Sequence, residues 1–191
     1  MYTITEIGKA VNGEWHLSNP QARVGILLQD SRKLENASIT LFFAIKGEKL
    51  DGHDYIQELY AKGVRNFVVQ TANQLLNLKG VNYVIVANGL AAIQKLAGYH
   101  RQQFNIPVVA ITGSNGKTIV KEWCHQVLQK DFTICRSPKS YNSQLGVPLS
   151  VWALNSSHNL ALFEAGVSAP EEMDKLQKTI QPTIGIFTTI G

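Results

Sequence analysis

Val108-Val109-Ala110-Ile111-Thr112-Gly113-Ser114-Asn115-Gly116-Lys117-Thr118 is an apolar run that breaks into a glycine-rich turn and closes on Lys-Thr. A strand feeding a tight turn and then a helix leaves several backbone N–H groups converging without acceptors, and with the helix dipole they make an anion site. Gly113 and Gly116 admit positive φ and let backbone approach closely. In loops of this kind the lysine ammonium reaches terminal phosphates and the next hydroxyl holds the accompanying magnesium ion; those residues here are Lys117 and Thr118. The turn is the short G-x-x-G-K-T form, since Ile111 stands where the longer pattern G-x-x-x-x-G-K-[ST] has glycine. An ordinary glycine turn with a solvated lysine is the competing reading. It fits less well with a strand on one side and a helical pattern through Val120, Trp123, Val127 and Leu128 on the other.

Outward from this loop the chain alternates. On the carboxyl side, apolar strands are predicted over 108–112, 132–135, 160–163 and 183–187, separated by three helical stretches, which makes parallel pairing the natural arrangement. The last helix, over 170–179, carries Ser168 and Glu171 at capping-box spacing and an early proline. On the amino side, Thr3 caps a helix over 4–11 that Asn12-Gly13 ends, and strands are predicted over 24–28, 39–45, 66–69 and 81–86. Helices over 54–62, closed by Gly63, and over 90–104, stopped by Asn105 and Pro107, complete the pattern. The predicted class is α/β. A small α/β domain over 1–105 precedes part of a parallel-sheet P-loop domain over 106–191.

Composition restricts the function classes. With 191 residues, 45% hydrophobic and 17% charged, the chain has ample material for a packed core. Its net charge of +4 comes from scattered basic residues with no basic-aromatic stripe, so no nucleic-acid partner is expected; the excess suits a polyphosphate. Cys124 and Cys135 lack C-x-x-C spacing and the five histidines form no ligand cluster, which predicts reduced, part-buried thiols rather than a zinc site. No run approaches a membrane span and the amino terminus lacks an export signal, so a cytoplasmic protein without a membrane partner is expected.

Other residues carry chemistry with a plainer alternative beside it. Glu164 ends an otherwise apolar strand, where a buried carboxylate demands a positive partner; it is either a cation ligand or a strand-end glutamate solvated or paired with a lysine. Asp30-Ser31-Arg32 follows a strand, placing an arginine fork and a hydroxyl where a diphosphate or uracil can bind, or simply forming a turn exit with a surface arginine. Asp51-Gly52-His53-Asp54 contains a turn signal from which His53 or Asp54 starts the next helix. Lys46 is a diphosphate contact or a solvated loop lysine, and Asn142 caps the following helix or touches substrate and phosphate. Trp15, Trp123 and Trp152 read as packing residues.

Several segments resemble the Mur ligase family, and within it the branch that adds D-Ala-D-Ala. They are Asp30-Ser31-Arg32, Leu41-Phe42-Phe43-Ala44-Ile45-Lys46-Gly47-Glu48, Asp51-Gly52-His53-Asp54-Tyr55-Ile56, the 112–118 loop, Tyr141 through Leu149 with its G-V-P, and Phe163-Glu164-Ala165-Gly166. Where many relatives carry consecutive asparagines before G-V-P, this chain has Tyr141-Asn142-Ser143-Gln144, so only Asn142 is carried over.

The resemblance implies a uridine-binding amino-terminal domain, with Ser31, Arg32, Lys46, Asp51, His53 and Asn142 contacting substrate. It implies an ATP site of Gly113, Ser114, Asn115, Gly116, Lys117 and Thr118, with Lys117 catalytic and Mg2+ on Thr118 and Glu164. The implied partners are a UDP-N-acetylmuramoyl tripeptide and D-Ala-D-Ala, joined through an acyl phosphate in peptidoglycan synthesis. It further implies a fragment that is inactive alone, from a branch in which some members are fused to an alanine racemase. Another Mur ligase, a P-loop kinase or NTPase, and a binding module without turnover are the competing functions.

Overall fold

A computed structural model describes residues 1–47 and 50–189; Glu48, part of the Lys-Gly-Glu resemblance, lies outside them. Contacts divide the chain into two compact units, Met1–Ile93 and Gln94–Gly191.

The first unit begins with β1 (Tyr2–Thr3) and α1 (Ile4–Val11), whose amino terminus is closed by a capping box. The Glu6 N–H donates to Thr3 Oγ1 at 3.2 Å and the Thr3 N–H to Glu6 Oε2 at 2.6 Å. Asn12 ends the helix in the left-handed region at φ 59°, as an Asn-Gly stop predicts. Then come β2 (Glu14–Leu17), β3 (Arg23–Val24), β4 (Ile26–Leu28), β5 (Thr40–Phe43), α2 (Ile56–Ala61), β6 (Asn66–Val69), β7 (Asn82–Ile85) and α3 (Gly89–Arg101). A five-stranded sheet runs β2-β7-β6-β5-β4, parallel except for β2, while β1 and β3 form a separate antiparallel pair.

The polar strand β2 escaped the sequence reading, because Glu14-Trp15-His16-Leu17 is largely exposed and lacks an apolar signature. The central strands β5 and β6 are buried at every position, and Phe42 and Phe67 meet edge to face at 6.5 Å between centroids. Asn66 and Asn82 face each other in register on β6 and β7, with Asn82 Nδ2 donating to Asn66 Oδ1 at 2.7 Å. Asn82 Oδ1 accepts the Asn19 N–H at 2.8 Å and Asn66 Nδ2 donates to Thr40 O at 3.3 Å, so the buried amides are paired.

The second unit takes in the later turns of α3, followed by β8 (Val108–Thr112), α4 (Lys117–Leu128), β9 (Ile134–Arg136), α5 (Gly146–Trp152), β10 (Leu160–Glu164), α6 (Glu172–Ile180) and β11 (Ile184–Phe187). The sheet order is β11-β8-β10-β9 and every pair is parallel, as the alternation of strands and helices predicts. The sequence places the domain boundary near Ile106, where the phosphate-loop strand begins. The contact division falls earlier, inside α3, because His100 Nε2 bonds Leu154 O at 3.0 Å and the Arg101 guanidinium donates to Ile180 O at 3.1 Å. Burial lowers the pKa of His100, keeping it neutral as a hydrogen-bonding group.

The start of α6 differs from the expectation. Glu171 has φ 65° and makes no cap bond; instead Glu172 Oε2 accepts the N–H groups of Ser168 at 2.7 Å and Ala169 at 3.1 Å. Both cysteines are free thiols, and burial pushes Cys135 up to about 12. Trp152 packs as expected, its ring 4.6 Å from that of His100. Trp123 does not: it is 64% exposed, beside Ile119 and Val127 on an outward stripe of α4.

Phe67→Ala would leave a cavity between buried strands and is expected to lower stability by about 3–5 kcal/mol, read from the shift in urea midpoint at unchanged m.

Candidate functional site

β8 is buried or half-buried along its length and delivers the chain at Thr112 to the glycine turn. Gly113 adopts φ 133° and Gly116 φ 83°, and Gly116 is the N-cap of α4 with no side-chain cap bond. The first N–H groups of α4 therefore have neither an intrahelical acceptor nor a capping side chain. A Cβ on Gly113 would lie 2.1 Å from Thr188 Oγ1, so glycine is required by contact as well as by torsion.

The exit of β11 straps this turn. The Ser114 N–H donates to Thr189 O at 2.7 Å, and the Thr188 hydroxyl lies 2.5 Å from Asn115 O and 3.1 Å from Thr112 O. Lys117 Nζ folds back over the loop, donating to Gly113 O at 2.6 Å and Ser114 O at 3.3 Å. The Lys117 ammonium thus sits over the glycine turn, held by two of its carbonyls.

Glu164 ends β10 alongside Ile111 of β8 and is fully buried. Its Oε2 accepts from Thr118 Oγ1 at 3.0 Å and, more loosely, from Asn142 Nδ2 at 3.4 Å. The structure therefore brings Lys117, Thr118, Asn142 and Glu164 to one place. Asn142 is not a helix cap; the N-cap of α5 is Leu145, which makes no side-chain cap bond.

The positive partner demanded by the carboxylate is a residue that sequence reasoning missed. Lys121 Nζ lies 2.9 Å from Glu164 Oε1, and that oxygen makes no hydrogen bond of proper geometry among the described residues. The lysine pairing and the approach to Thr118 coexist, one on each carboxylate oxygen. A signal was present: Lys121 stands one turn beyond Lys117 on the face of α4 that also carries Val120, Cys124 and Leu128 against the sheet. Among the described residues no three His, Cys, Asp or Glu side chains cluster, so any cation here has a sparse protein ligand set.

Beside the loop lies an open apolar cleft of about 680 Å³, lined by Asn115, Ile119, Trp123, Ile186, Phe187 and Thr188 among others.

In the first unit the remaining candidates lie at the exits of two parallel neighbours. Asp30 caps a short 3-10 turn (Ser31–Lys33) and accepts both Nε and Nη2 of Arg32 at 2.8 Å, which holds its carboxyl down to about 2. Arg32 is 86% exposed on its side chain while Ser31 is buried. After β5, Lys46 bridges to Asp51, which caps a second 3-10 turn (Gly52–Tyr55). Asp51 Oδ1 accepts the His53 N–H at 2.9 Å and contacts its Nδ1 at 2.6 Å, while His53 Nε2 accepts the Gln70 N–H at 3.0 Å. That network assigns the neutral ring's proton to Nδ1. Lys46 and Asp51 are thus joined by a backbone β-bridge, beside which the Asp51–His53 pair stands.

Gly113→Ala is expected to cost roughly 1–3 kcal/mol from torsional strain, with the clash adding to it, measured by urea unfolding. The bonds from His53, its N–H first, hold Asp51 below its ordinary carboxyl value of 3.8. A folded-state value below the unfolded one means the stabilisation is present at neutral pH and drains away as pH falls below 3.8. Asp51→Asn should therefore flatten the acid limb of a melting-temperature profile.

Comparison with known proteins matches both parts of the chain to one family. A model of the Mur ligase middle domain matches residues 111–191, and one of the Mur ligase family catalytic domain matches residues 23–110. The UDP-N-acetylmuramoyl-tripeptide--D-alanyl-D-alanine ligase of Bacillus subtilis is 33% identical over 99% of this chain, which spans 41% of that protein. The Borreliella burgdorferi protein of the same name is 32% identical over 92% of the chain and 40% of its own length. Among solved structures, the corresponding ligase from Acinetobacter baumannii superposes with a TM-score of 0.89 at 30% identity, over 100% of this chain and 42% of that one. A MurF ligase from Thermotoga maritima in complex with ADP gives 0.77 at 25% identity, over 89% and 38%. The chain therefore spans about two fifths of the length of the relatives it matches.

Proposed function

The chain belongs to the Mur ligase family, and on that premise we propose that it supplies the substrate-binding part and the start of the ATP-binding part of an amide ligase. The reaction is addition of D-Ala-D-Ala to a UDP-N-acetylmuramoyl tripeptide, a cytoplasmic step of peptidoglycan precursor synthesis. The relatives bearing that name support it, as does the ADP complex of one structural neighbour. The single observation that carries the reading is the Thr118 hydroxyl 3.0 Å from a fully buried Glu164, directly after a lysine arched over a glycine loop.

Residues 106–191 hold the nucleotide. Gly113, Ser114, Asn115 and Gly116 wrap the phosphates, and Lys117, released from the carbonyls of Gly113 and Ser114, takes the β- and γ-phosphate oxygens as its new acceptors. Thr118 and Glu164 hold magnesium; a hydroxyl and a carboxylate are hard oxygen donors and meet at 3.0 Å on one side of the loop. When bound, the ion neutralises phosphate charge.

The carboxylate of the tripeptide attacks the γ-phosphorus, forming an acyl–oxygen–phosphorus bond as ADP leaves. The amine of D-Ala-D-Ala then attacks the acyl carbon and inorganic phosphate departs, the amine losing a proton. The chain's contribution is positioning and charge neutralisation.

Residues 1–105 hold the UDP end. Lys46 and the exposed guanidinium of Arg32 supply positive charge to the diphosphate, the Ser31 hydroxyl lies beside Arg32 in sequence, and Asp51, paired with His53, is bridged to Lys46. Asn142 offers its amide oxygen to substrate from beside Glu164.

In the whole gene product, phosphate release should require ATP, the UDP-muramoyl tripeptide and D-Ala-D-Ala together, and Lys117→Ala should reduce turnover by about 10³-fold or more. A phosphorylated product without amide formation would replace this reading with a kinase, and near-normal turnover by the variant would remove Lys117 from its role.

A further inference from the structure

Lys121 has no part in phosphate or substrate contact as described above, yet it is a fully engaged, buried side chain of the second unit. It is fully buried, and its Nζ lies 2.8 Å from Ser137 O, 2.5 Å from Lys139 O, 2.9 Å from Glu164 Oε1 and 3.2 Å from Glu122 Oε1. An ammonium has three protons, so four oxygens at these distances use all of its donors. Glu122 in turn pairs through its other oxygen with Arg136, making an alternating chain of charges from the surface to Glu164.

Resting on the nucleotide reading above, we infer that Lys121 is a positioning residue for the cation site. By occupying Oε1 of Glu164, it leaves Oε2 alone to face Thr118, so the carboxylate offers a divalent cation one oxygen in a fixed orientation. Rotating Glu164 to offer both oxygens would strip the buried ammonium of a partner and leave charge uncompensated in an apolar surround.

The same ammonium ties together the three elements that carry the candidate ligands. Lys121 and Thr118 share α4 one turn apart; Glu164 closes β10; and the carbonyls of Ser137 and Lys139 begin the segment that leads to Asn142. Lys139 is held at φ 50°, and the Glu164 N–H donates to Ser137 Oγ at 3.1 Å, so this segment is stapled to the strand end from both sides. Such outer partners set the orientation of a ligand without touching the metal.

The test is Mn2+ binding in the presence of ADP, followed by the paramagnetic resonance signal of free Mn2+, on the unaltered chain and on K121M, E164Q and K121M/E164Q. K121M should weaken Mn2+ binding by about tenfold to a hundredfold while metal-free ADP binding stays within about twofold, because the glycine loop is untouched. Since Lys121 acts through Glu164, adding K121M to E164Q should cause no further loss, a coupling that a general destabilisation would not produce.

K121M leaves a buried carboxylate unpaired, and if it fails to fold the decisive comparison is E164Q against K121M/E164Q, in which that carboxylate is absent. Equal Mn2+ affinity in that pair supports the inference; a further tenfold loss overturns it, as does unaltered affinity in folded K121M. Absence of Mn2+·ADP binding by the unaltered chain is a separate outcome that overturns the nucleotide reading itself, and this inference with it.

Discussion

A carboxylate buried at the end of an apolar strand is the constraint around which the second unit is arranged. Leu160 through Phe163 are apolar and buried, and burying the charge of Glu164 beside them is tolerable only with compensating partners. Two helix residues one turn apart provide them: Thr118 donates to one oxygen and Lys121 pairs with the other. The helix can make both contacts because the glycine turn brings it directly off the neighbouring strand, where Ile111 and Glu164 are in register. Sheet register, glycine turn and a buried lysine thus all serve the compensation of one buried carboxylate. The nucleotide site proposed above gains from this arrangement, because a helix amino terminus, an ammonium held over the loop and an oriented carboxylate are already in place.

The two units use their parallel strands differently. In the second, the strand exits converge on a loop with one dominant chemistry. In the first, the exits of β4 and β5 are closed by short turns capped by their own aspartates, and the charges there are largely engaged with each other: Arg32 with Asp30, His53 with Asp51. Such turns are scaffolds first, with exposed cations at their rims, which suits recognition of a diphosphate by orientation rather than by depth.

Much of this was legible in the sequence, and the exceptions share a physical cause. β6 and β8 begin and end where the apolar runs predict, because buried parallel strands leave an unambiguous signature. The meeting of Thr118 and Glu164 was implied by the family resemblance, which placed both on one cation; the residues alone left Glu164 open between a cation ligand and a strand-end glutamate. Lys121 was overlooked despite its place on the buried face, since periodicity arguments count apolar positions and pass over a charged residue among them. Trp123 was misread for the complementary reason: Ile119, Trp123 and Val127 recur at helical spacing, yet that stripe points outward, and period alone does not say which face meets the sheet. β2 was missed because an edge strand facing water carries polar residues. The cap of α6 was displaced by one residue, to Glu172, because Glu171 takes a left-handed conformation that a linear motif does not reveal.

The paired amides of Asn66 and Asn82 matter most for the structures they forbid. Shifting β7 against β6 by a single residue would turn Asn82 to the opposite face and break its bond to the buried Asn66 amide, so a mispaired sheet is penalised by lost polar pairing as well as by displaced apolar side chains. Two asparagines in an otherwise greasy sheet thereby act as a key cut for one alignment. They trade a little cohesion for the assurance that the loops downstream emerge at the right rim.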